Sequence, residues 1–421
     1  MKSTKYKDSP LGPIPQDWEV KRLGDVADSL GNNTYAREHL CGNSTNAFNI
    51  HYGDILIKYG SIVDFARDQV PCLRETVKPN KDFLNDGDIV FADTAEDEVV
   101  GKAVEIRGLN GRKSVAGLHT MAYRPHKGIF ASNFLGYYLN SSAYHTQLLP
   151  LITGSKVSSL SRANFESSWL TFPPLPEQQR IVQALGEVDK LIESLDEQIE
   201  KKRLIAKGVA HDLLSAKKRL PGFKGAWEML KLGDMGIWLK GQALSKSDVT
   251  STGTYECIHY GELFTKYGPV IQTVVSRTDK EPTISSVSGD ILFPSSDVTP
   301  EGLGRCSAIM ADGVILGGDM IILRLGVTCS PQLVSHVINQ NRRMIIAKVT
   351  GITVRHITSK ALSNIEIPLP PTFAEQQAIA DLLSEQDAAI AALEAKREKY
   401  ARIKEGMMRD LLTGKKRMKG E

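Results

Sequence analysis

Two short segments set a lysine, a tyrosine and a glycine side by side: Lys58-Tyr59-Gly60 and Lys266-Tyr267-Gly268. A lysine neutralises a phosphate, and a tyrosine stacks on a base or donates to an oxygen, so the pair has the chemistry of a nucleic-acid contact. Tyr-Gly also commonly ends a strand at a turn, and the residues alone leave both readings open. A second pair of segments puts small polar and basic residues on a glycine turn. They are Gly154-Ser155-Lys156-Val157-Ser158-Ser159-Leu160 and Gly351-Ile352-Thr353-Val354-Arg355-His356-Ile357. Ser155, Lys156 and Thr353 suit entry into a groove, Arg355 has the fork that pairs with guanine, and His356 has a ring nitrogen for a base edge. Arg112-Lys113 and Arg342-Arg343 are further basic points. Residue types shared by two such segments are expected to hold the DNA backbone, and unshared ones to specify sequence.

Other combinations point less firmly to chemistry. Asp93, Glu96, Asp97 and Glu98 have the oxygen donors of a hard-cation site, but the matching stretch Ser295-Ser296-Asp297 does not keep them. A solvated loop, not a metal site, is expected there. Glu394-Ala395-Lys396 has the E-x-K form of a nuclease site, yet it lies in a long helical stretch where an ion pair is expected. No Walker lysine loop, G-x-G-x-x-G, H-E-x-x-H or G-x-S-x-G occurs. Phe172-Pro173-Pro174 lacks the acid or amide of an amino-methyltransferase motif. No catalytic residue and no cofactor are expected on this chain.

Composition sets the frame. The 421 residues suffice for two to four domains. The formal net charge is only +3, so nucleic-acid binding would have to come from local clusters. The five cysteines form no C-x-x-C pair, which argues against zinc and against a disulfide framework. Neither a signal-peptide core nor an apolar run of membrane-spanning length is present, and a cytoplasmic location is expected.

The elements that must position the candidate residues occur twice. Trp18-Glu19-Val20-Lys21-Arg22-Leu23-Gly24-Asp25 returns as Trp227-Glu228-Met229-Leu230-Lys231-Leu232-Gly233-Asp234. Ile50-His51-Tyr52-Gly53-Asp54 returns as Ile258-His259-Tyr260-Gly261-Glu262, and Gly87-Asp88-Ile89-Val90-Phe91 as Gly289-Asp290-Ile291-Leu292-Phe293. A period of about 200 residues is domain-sized, far above that of a solenoid repeat. Within each copy, short apolar runs between turn residues predict strands at Asp54–Ile57, Asp88–Phe91, Thr254–His259 and Met320–Leu325. Helices are predicted over Ser132–Leu149 and Pro331–Val349.

Each copy then closes on a long helix. Phe172-Pro173-Pro174-Leu175-Pro176 and Ile367-Pro368-Leu369-Pro370-Pro371 force extended backbone. Helix-forming residues follow, opening with Glu177-Gln178-Gln179 and Glu375-Gln376-Gln377. The second stretch has a wider gap between its prolines and this triplet, which leaves its start uncertain by a turn. Steps of four and three pick out Ile181, Leu185, Val188, Ile192, Leu195 and Ile199 in the first helix. In the second they pick out Ile379, Leu383, Ile390, Leu393 and Tyr400. This is a heptad seam. A helix over Glu177–Leu214 would be roughly 57 Å long and needs a partner of equal length to bury its stripe. The two are expected to pair antiparallel, giving an approximate two-fold axis. Both end on a basic triplet, Lys217-Lys218-Arg219 and Lys415-Lys416-Arg417. Cations complementing a helix C-terminus explain it, with phosphate contact as the alternative.

The expected fold class is α+β. A globular domain spans 1–175, a central helix 176–215, a second domain 216–372 and a C-terminal helix 373–421. The duplicated proline-rich helix start with E-Q-Q, the H-Y-G-[DE]-[IL] and G-D-I-[VL]-F segments, and the Pro13-Ile14-Pro15…Trp18 opening together resemble the specificity subunit of type I restriction–modification systems. The resemblance covers nearly the whole chain. It implies two target-recognition domains, each reading one half of a bipartite double-stranded DNA site, with the paired helices fixing the unread spacer. It also implies no catalytic centre here. Two methyltransferase subunits with S-adenosylmethionine, and restriction subunits with ATP and magnesium, would join the chain. Two alternatives remain: a coiled-coil adaptor that bridges protein partners without reading DNA, and a DNA enzyme whose catalytic motif is not evident.

Overall fold

The computed structural model describes residues 5–42, 46–79 and 82–418. The chain divides into two units, one made of Met1–Asp196 with Ala395–Glu421, the other of Glu197–Glu394. The division falls inside both long helices, α1 (Leu175–Leu214, 40 residues) and α2 (Phe373–Leu411, 39 residues). Each unit therefore holds one globular half, the start of one long helix and the end of the other.

In the first unit a five-stranded sheet runs in the order Ala27–Leu30, Thr120–Pro125, Ile89–Ala92, Ala103–Arg107, Ile62–Asp64. All neighbours are antiparallel except the last pair, which is parallel. The second unit repeats this with Gly236–Lys240, Met320–Leu325, Ile291–Pro294, Ser307–Ile309 and Val270–Ile271, the last pair again parallel. Alternation along the central strand feeds two cores. Ile89 and Phe91 enter one cluster, Val90 and Ala92 the other. Ile291 and Phe293 likewise oppose Leu292.

The repeated Gly-Asp turn leads into this strand. Gly87 and Gly289 adopt φ of 91° and 96°, a conformation that favours glycine. The aspartate that follows is clamped by an arginine from the neighbouring strand, Asp88 by Arg124 at 3.0 and 2.7 Å and Asp290 by Arg324 at 3.0 and 2.8 Å. The motif is a structural latch, and its acids are not available to a ligand.

The strand predicted at Asp54–Ile57 is instead part of a helix, Tyr52–Ile57. The His51 ring stops extended chain there, because its Nδ1 accepts from Gly53 N–H at 3.2 Å and caps the helix N-terminus. His259 accepts from Gly261 N–H at 3.1 Å in the same way. Burial first, and then the Arg37 guanidinium, holds the His51 imidazole below its ordinary pKa; burial also lowers that of His259. The other strand expectations hold to within a residue or so, as Ile89–Ala92, Tyr255–His259 and Met320–Leu325. The predicted helices Ser132–Leu149 and Pro331–Val349 are each broken. The first yields Phe134–Leu139 and Ser142–His145, because Ser141 caps a new start through Tyr144 N–H. The second yields Pro331–Gln340 and Arg343–Ile346.

The seam of the long helices faces inward. Ile181, Leu185, Leu195, Ile199, Ile379 and Leu383 are buried, and Val188, Ile192, Ile390, Leu393 and Tyr400 half-buried. The antiparallel sense shows within each unit. In the first, Asp189 meets Lys404 at 2.6 Å and Asp196 meets Arg397 at 3.0 Å. In the second, Arg203 meets Glu394 at 2.6 Å, the ion pair expected for the E-x-K segment. Both helices begin two residues before their E-Q-Q triplet, so the wider proline gap does not move the second start.

The E-Q-Q triplets are the joints of each unit. Gln178 accepts from Ala131 N–H at 2.8 Å and donates to the Ile129 and Pro173 carbonyls. Gln376 does the same with Ser330 and Pro370. Glu177 takes Arg417 in a two-bonded pair at 2.8 and 2.6 Å, and Glu375 takes Arg219 with both bonds at 2.6 Å. The arginines of the two basic triplets are thus committed to carboxylates, not to phosphate. Lys218 and Lys416 fold back onto Asp212 and Asp410 at 2.7 and 3.2 Å. Ala216 sits in the turn before the first triplet with φ of 55°, where the second copy has Gly414 at 71°. Alanine is disfavoured in this left-handed region. Ala216→Gly is therefore expected to raise stability by up to ~1 kcal/mol, readable as a higher urea midpoint with an unchanged slope.

Candidate nucleic-acid interface

The two Lys-Tyr-Gly segments lie at matching helix C-termini, but they present different groups. Tyr59 is 4% exposed and belongs to the core, and its ring is not offered to a base. Burial also pushes its hydroxyl pKa well up. Lys58 is exposed, leans on the Tyr59 ring and donates to the Gln69 carbonyl. Lys266 is tied to Glu262 at 2.6 Å and to Ser276 Oγ at 2.8 Å. The Tyr267 hydroxyl accepts from Val275 N–H at 3.3 Å, and its ring packs against the core. The tyrosines build the fold, and the two lysines are exposed, Lys58 held by a backbone carbonyl and Lys266 by Glu262 and Ser276.

The glycine-turn segments are true equivalents. Ser158–Ser159 pairs antiparallel with Thr94–Ala95, and Arg355–His356 with Ser296–Asp297. Thr153 bridges Ser159, and Thr350 bridges His356, closing each segment into a hairpin. Gly154 and Gly351 have φ of 104° and 98°, and a Cβ on either would strike the carbonyl of Val157 or Val354. The backbone is the same while the side chains are exchanged. Ser155 and Lys156 stand exposed on one tip, Ile352 and Thr353 on the other. His356 is exposed. Arg355 is half-buried and donates through Nη1 to the Gly351 carbonyl, so part of its fork braces the hairpin.

Charge singles out the same region. No Asp or Glu occurs between Glu105 and Glu166, nor between Asp319 and Glu366. Both stretches contain the hairpin. In the second, Arg342, Arg343, Lys348 and Lys360 are all exposed. Arg342–Arg343 stands out in the sequence as a basic point, and the long acid-free run around it is what makes it part of a field. Arg112 and Lys113 instead lie over the Phe65 and Phe83 rings at 5.7 and 5.5 Å. The acidic loop Asp93, Glu96, Asp97, Glu98 flanks the first hairpin. Thr94 Oγ1 holds Asp93 at 2.8 Å, and Val99 N–H holds Asp97 at 3.1 Å. Among the described residues no group of three or more His, Cys, Asp or Glu could hold a metal ion, and no helix is long and apolar enough to cross a membrane.

The chain matches known proteins over nearly all of its length. The family model described as the type I restriction modification DNA specificity domain matches residues 15–202 and again 224–404. The putative type I restriction enzyme MjaX specificity subunit of Methanocaldococcus jannaschii is 25% identical over 439 residues, covering 99% of this chain and 98% of that one. The type I restriction enzyme MjaVIII specificity subunit of the same organism is 23% identical over 428 residues, covering 96% and 94%. Among solved structures, the S subunit of a type I restriction–modification system from M. genitalium shares the fold with a TM-score of 0.60 at 14% identity, covering 94% of this chain and 96% of that one. With two family matches that together take in most of its residues, the chain belongs to the type I restriction–modification DNA specificity family and carries two tandem copies of the DNA-recognition domain.

Proposed function

We propose that each unit reads one half of a bipartite DNA site and that this chain directs, without catalysing, modification by methyltransferase subunits bound to it. The observation that carries the reading is the pair of hairpins: one backbone, held by the same anchoring, bearing exchanged exposed side chains. Shared geometry suits a common DNA backbone, and exchanged tips suit two different half-sites. Lys58, Ser155, Lys156, Thr353 and His356 are the surface residues proposed to touch DNA; Arg355 braces its tip and offers the remainder of its fork. Tyr59 and Tyr267 act through the fold, while Lys266 is exposed and paired with Glu262. Two methyltransferase subunits, carrying S-adenosylmethionine, and restriction subunits, using ATP and magnesium, are the proposed partners. Leu204 and Ile205, 73% and 52% exposed on α1, favour docking of a partner on the helix.

The lengths of α1 and α2 are proposed to set the number of unread base pairs, since each heptad removed shortens a helix by about 10.5 Å. Mapping of N6-methyladenine across a genome, in cells that make this chain with its methyltransferase, tests both statements. A split motif is expected, lost when the chain is omitted, with a shorter gap after one heptad is deleted from both helices. A continuous palindrome, or a motif indifferent to the chain, would favour an adaptor that does not read DNA.

A further inference from the structure

The tip of the second hairpin carries a feature that folding does not explain. Ile352 is 89% exposed, Val354 45%, and Val298, which follows the strand paired with Arg355–His356, 73%. Single exposed apolar residues are ordinary, but three at one protruding turn form a patch. Its surroundings indicate what covers it. Lys348 directly precedes the hairpin and Lys360 follows it. Arg342 and Arg343 lie on the segment that packs on Pro300–Leu303, which in turn packs on both hairpin strands. Among the described residues no ion pair engages these four cations. The neighbouring acids are Asp297, whose oxygens already accept from Val298 N–H and Thr299 Oγ1, Glu301, and Asp319, whose Oδ2 accepts from Ser296 Oγ at 2.7 Å. An apolar tip inside a cationic surround fits a polyanion that shows an apolar group at the bottom of a groove. In the major groove of DNA that group is the thymine 5-methyl. The first hairpin keeps an exposed valine, Val157, at the place of Val354, but has Ser155 and Lys156 where the second has Ile352 and Thr353, and an acidic loop beside it.

We infer that Ile352, backed by Val354, contacts the 5-methyl group of a thymine and so specifies an A·T pair in one half of the site. The inference rests on the reading of each unit as a DNA reader. Its test uses the assembled complex of this chain with its methyltransferase, on duplexes carrying the motif found by methylation mapping. Each thymine of the half-site is replaced in turn by uracil, which lacks only the methyl group. At one position, uracil is expected to weaken binding by the wild-type complex about fourfold, the effect of one methyl group leaving water. Ile352→Ala is expected to weaken binding to the thymine duplex similarly, and to be indifferent to uracil at that position. Independent, multiplying effects of the two changes would overturn the inference. So would an Ile352→Ala chain that loses its methyltransferase while keeping its DNA preference, because the tip would then be a protein contact. A wild-type complex with no split motif would bring down the underlying reading before any variant is made.

Discussion

Replacing Glu177 by alanine is expected to destabilise the first unit by about 3–5 kcal/mol, a large share of the 5–15 kcal/mol that typically holds a domain together. The carboxylate is 4% exposed and receives both arms of Arg417, itself 9% exposed, together with the Met418 N–H at 3.0 Å. Arg417 also bonds Asp17 at 2.8 Å, and these carboxylates hold its pKa above the usual guanidinium range. Removing Glu177 leaves a cation in a site closed to water, with only Asp17 to answer it, at the joint between the helix start and the C-terminal turn. Glu177→Gln should do less damage, since it keeps an acceptor for Met418 N–H. Replacing Glu177 and Arg417 together by methionine should recover much of the loss, because a matched apolar pair avoids the burial of charge. Urea unfolding checks the size, and hydrogen exchange at the Arg417–Met418 amides checks the place. If Glu177→Ala moves the urea midpoint by no more than an exposed ion pair would, the joint is not what closes this unit.

Acid should weaken the second unit through His336. This ring is 9% exposed on the helix Pro331–Gln340, and its Nε2 has no hydrogen-bond partner among the described residues. Burial pushes its pKa down to about 4, from an ordinary 6.5. The fold therefore favours the neutral ring. Its contribution is fully present above pH 6.5. As pH falls below that, the unfolded chain takes up a proton that the folded chain refuses until about pH 4. The gap amounts to about 3 kcal/mol lost across that interval. Other groups titrate in the same range, so the measurement is a comparison. Unfolding free energies of wild type and His336→Phe from pH 7.5 to 4.5 should diverge as pH falls, with the variant the less sensitive. Parallel curves would show that the buried ring takes its proton without opposition. In the first unit the corresponding helix is registered by Asn140, which bridges Ala103 and Gly136 as Asn339 bridges Cys306 and Ser335. That register puts Tyr137 at the matching place, where its hydroxyl finds Asp189 at 2.7 Å.

Much of this fold is legible because duplication prints each signal twice. The seam positions from Ile181 to Ile199 and from Ile379 to Tyr400 follow from periodicity alone, since a helix of such length can hide its stripe only against another helix. Helix starts were fixed by residues whose role was not apparent. Glu177 and Glu375 appear in the sequence only as members of the E-Q-Q triplets, yet each binds an arginine more than 150 positions away in sequence. Local pattern also failed at Asp54–Ile57, where an apolar run short enough for a strand is turned into a helix by His51, which caps the helix three residues before that run begins. On the surface, the Lys-Tyr pairs drew attention by their sameness, and sameness proved to mark the frame in the case of Tyr59. The hairpin tips draw it by difference. Ile352 carries no mark of its role in the sequence, because exposure is a property of the folded chain and not of the residue type.

The partition of the chain also bears on the order in which it is made. The second unit is one continuous run, Glu197–Glu394, whereas the first is closed by Ala395–Glu421. The residues translated first therefore wait longest for their last contacts. The Leu411 and Leu412 side chains that enter the first core, and the Arg417 that locks Glu177, arrive only after the whole second unit has left the ribosome. A chain cut short near its end should hold a finished second unit and an open first one, with the Ile181 and Leu185 end of its helix bare.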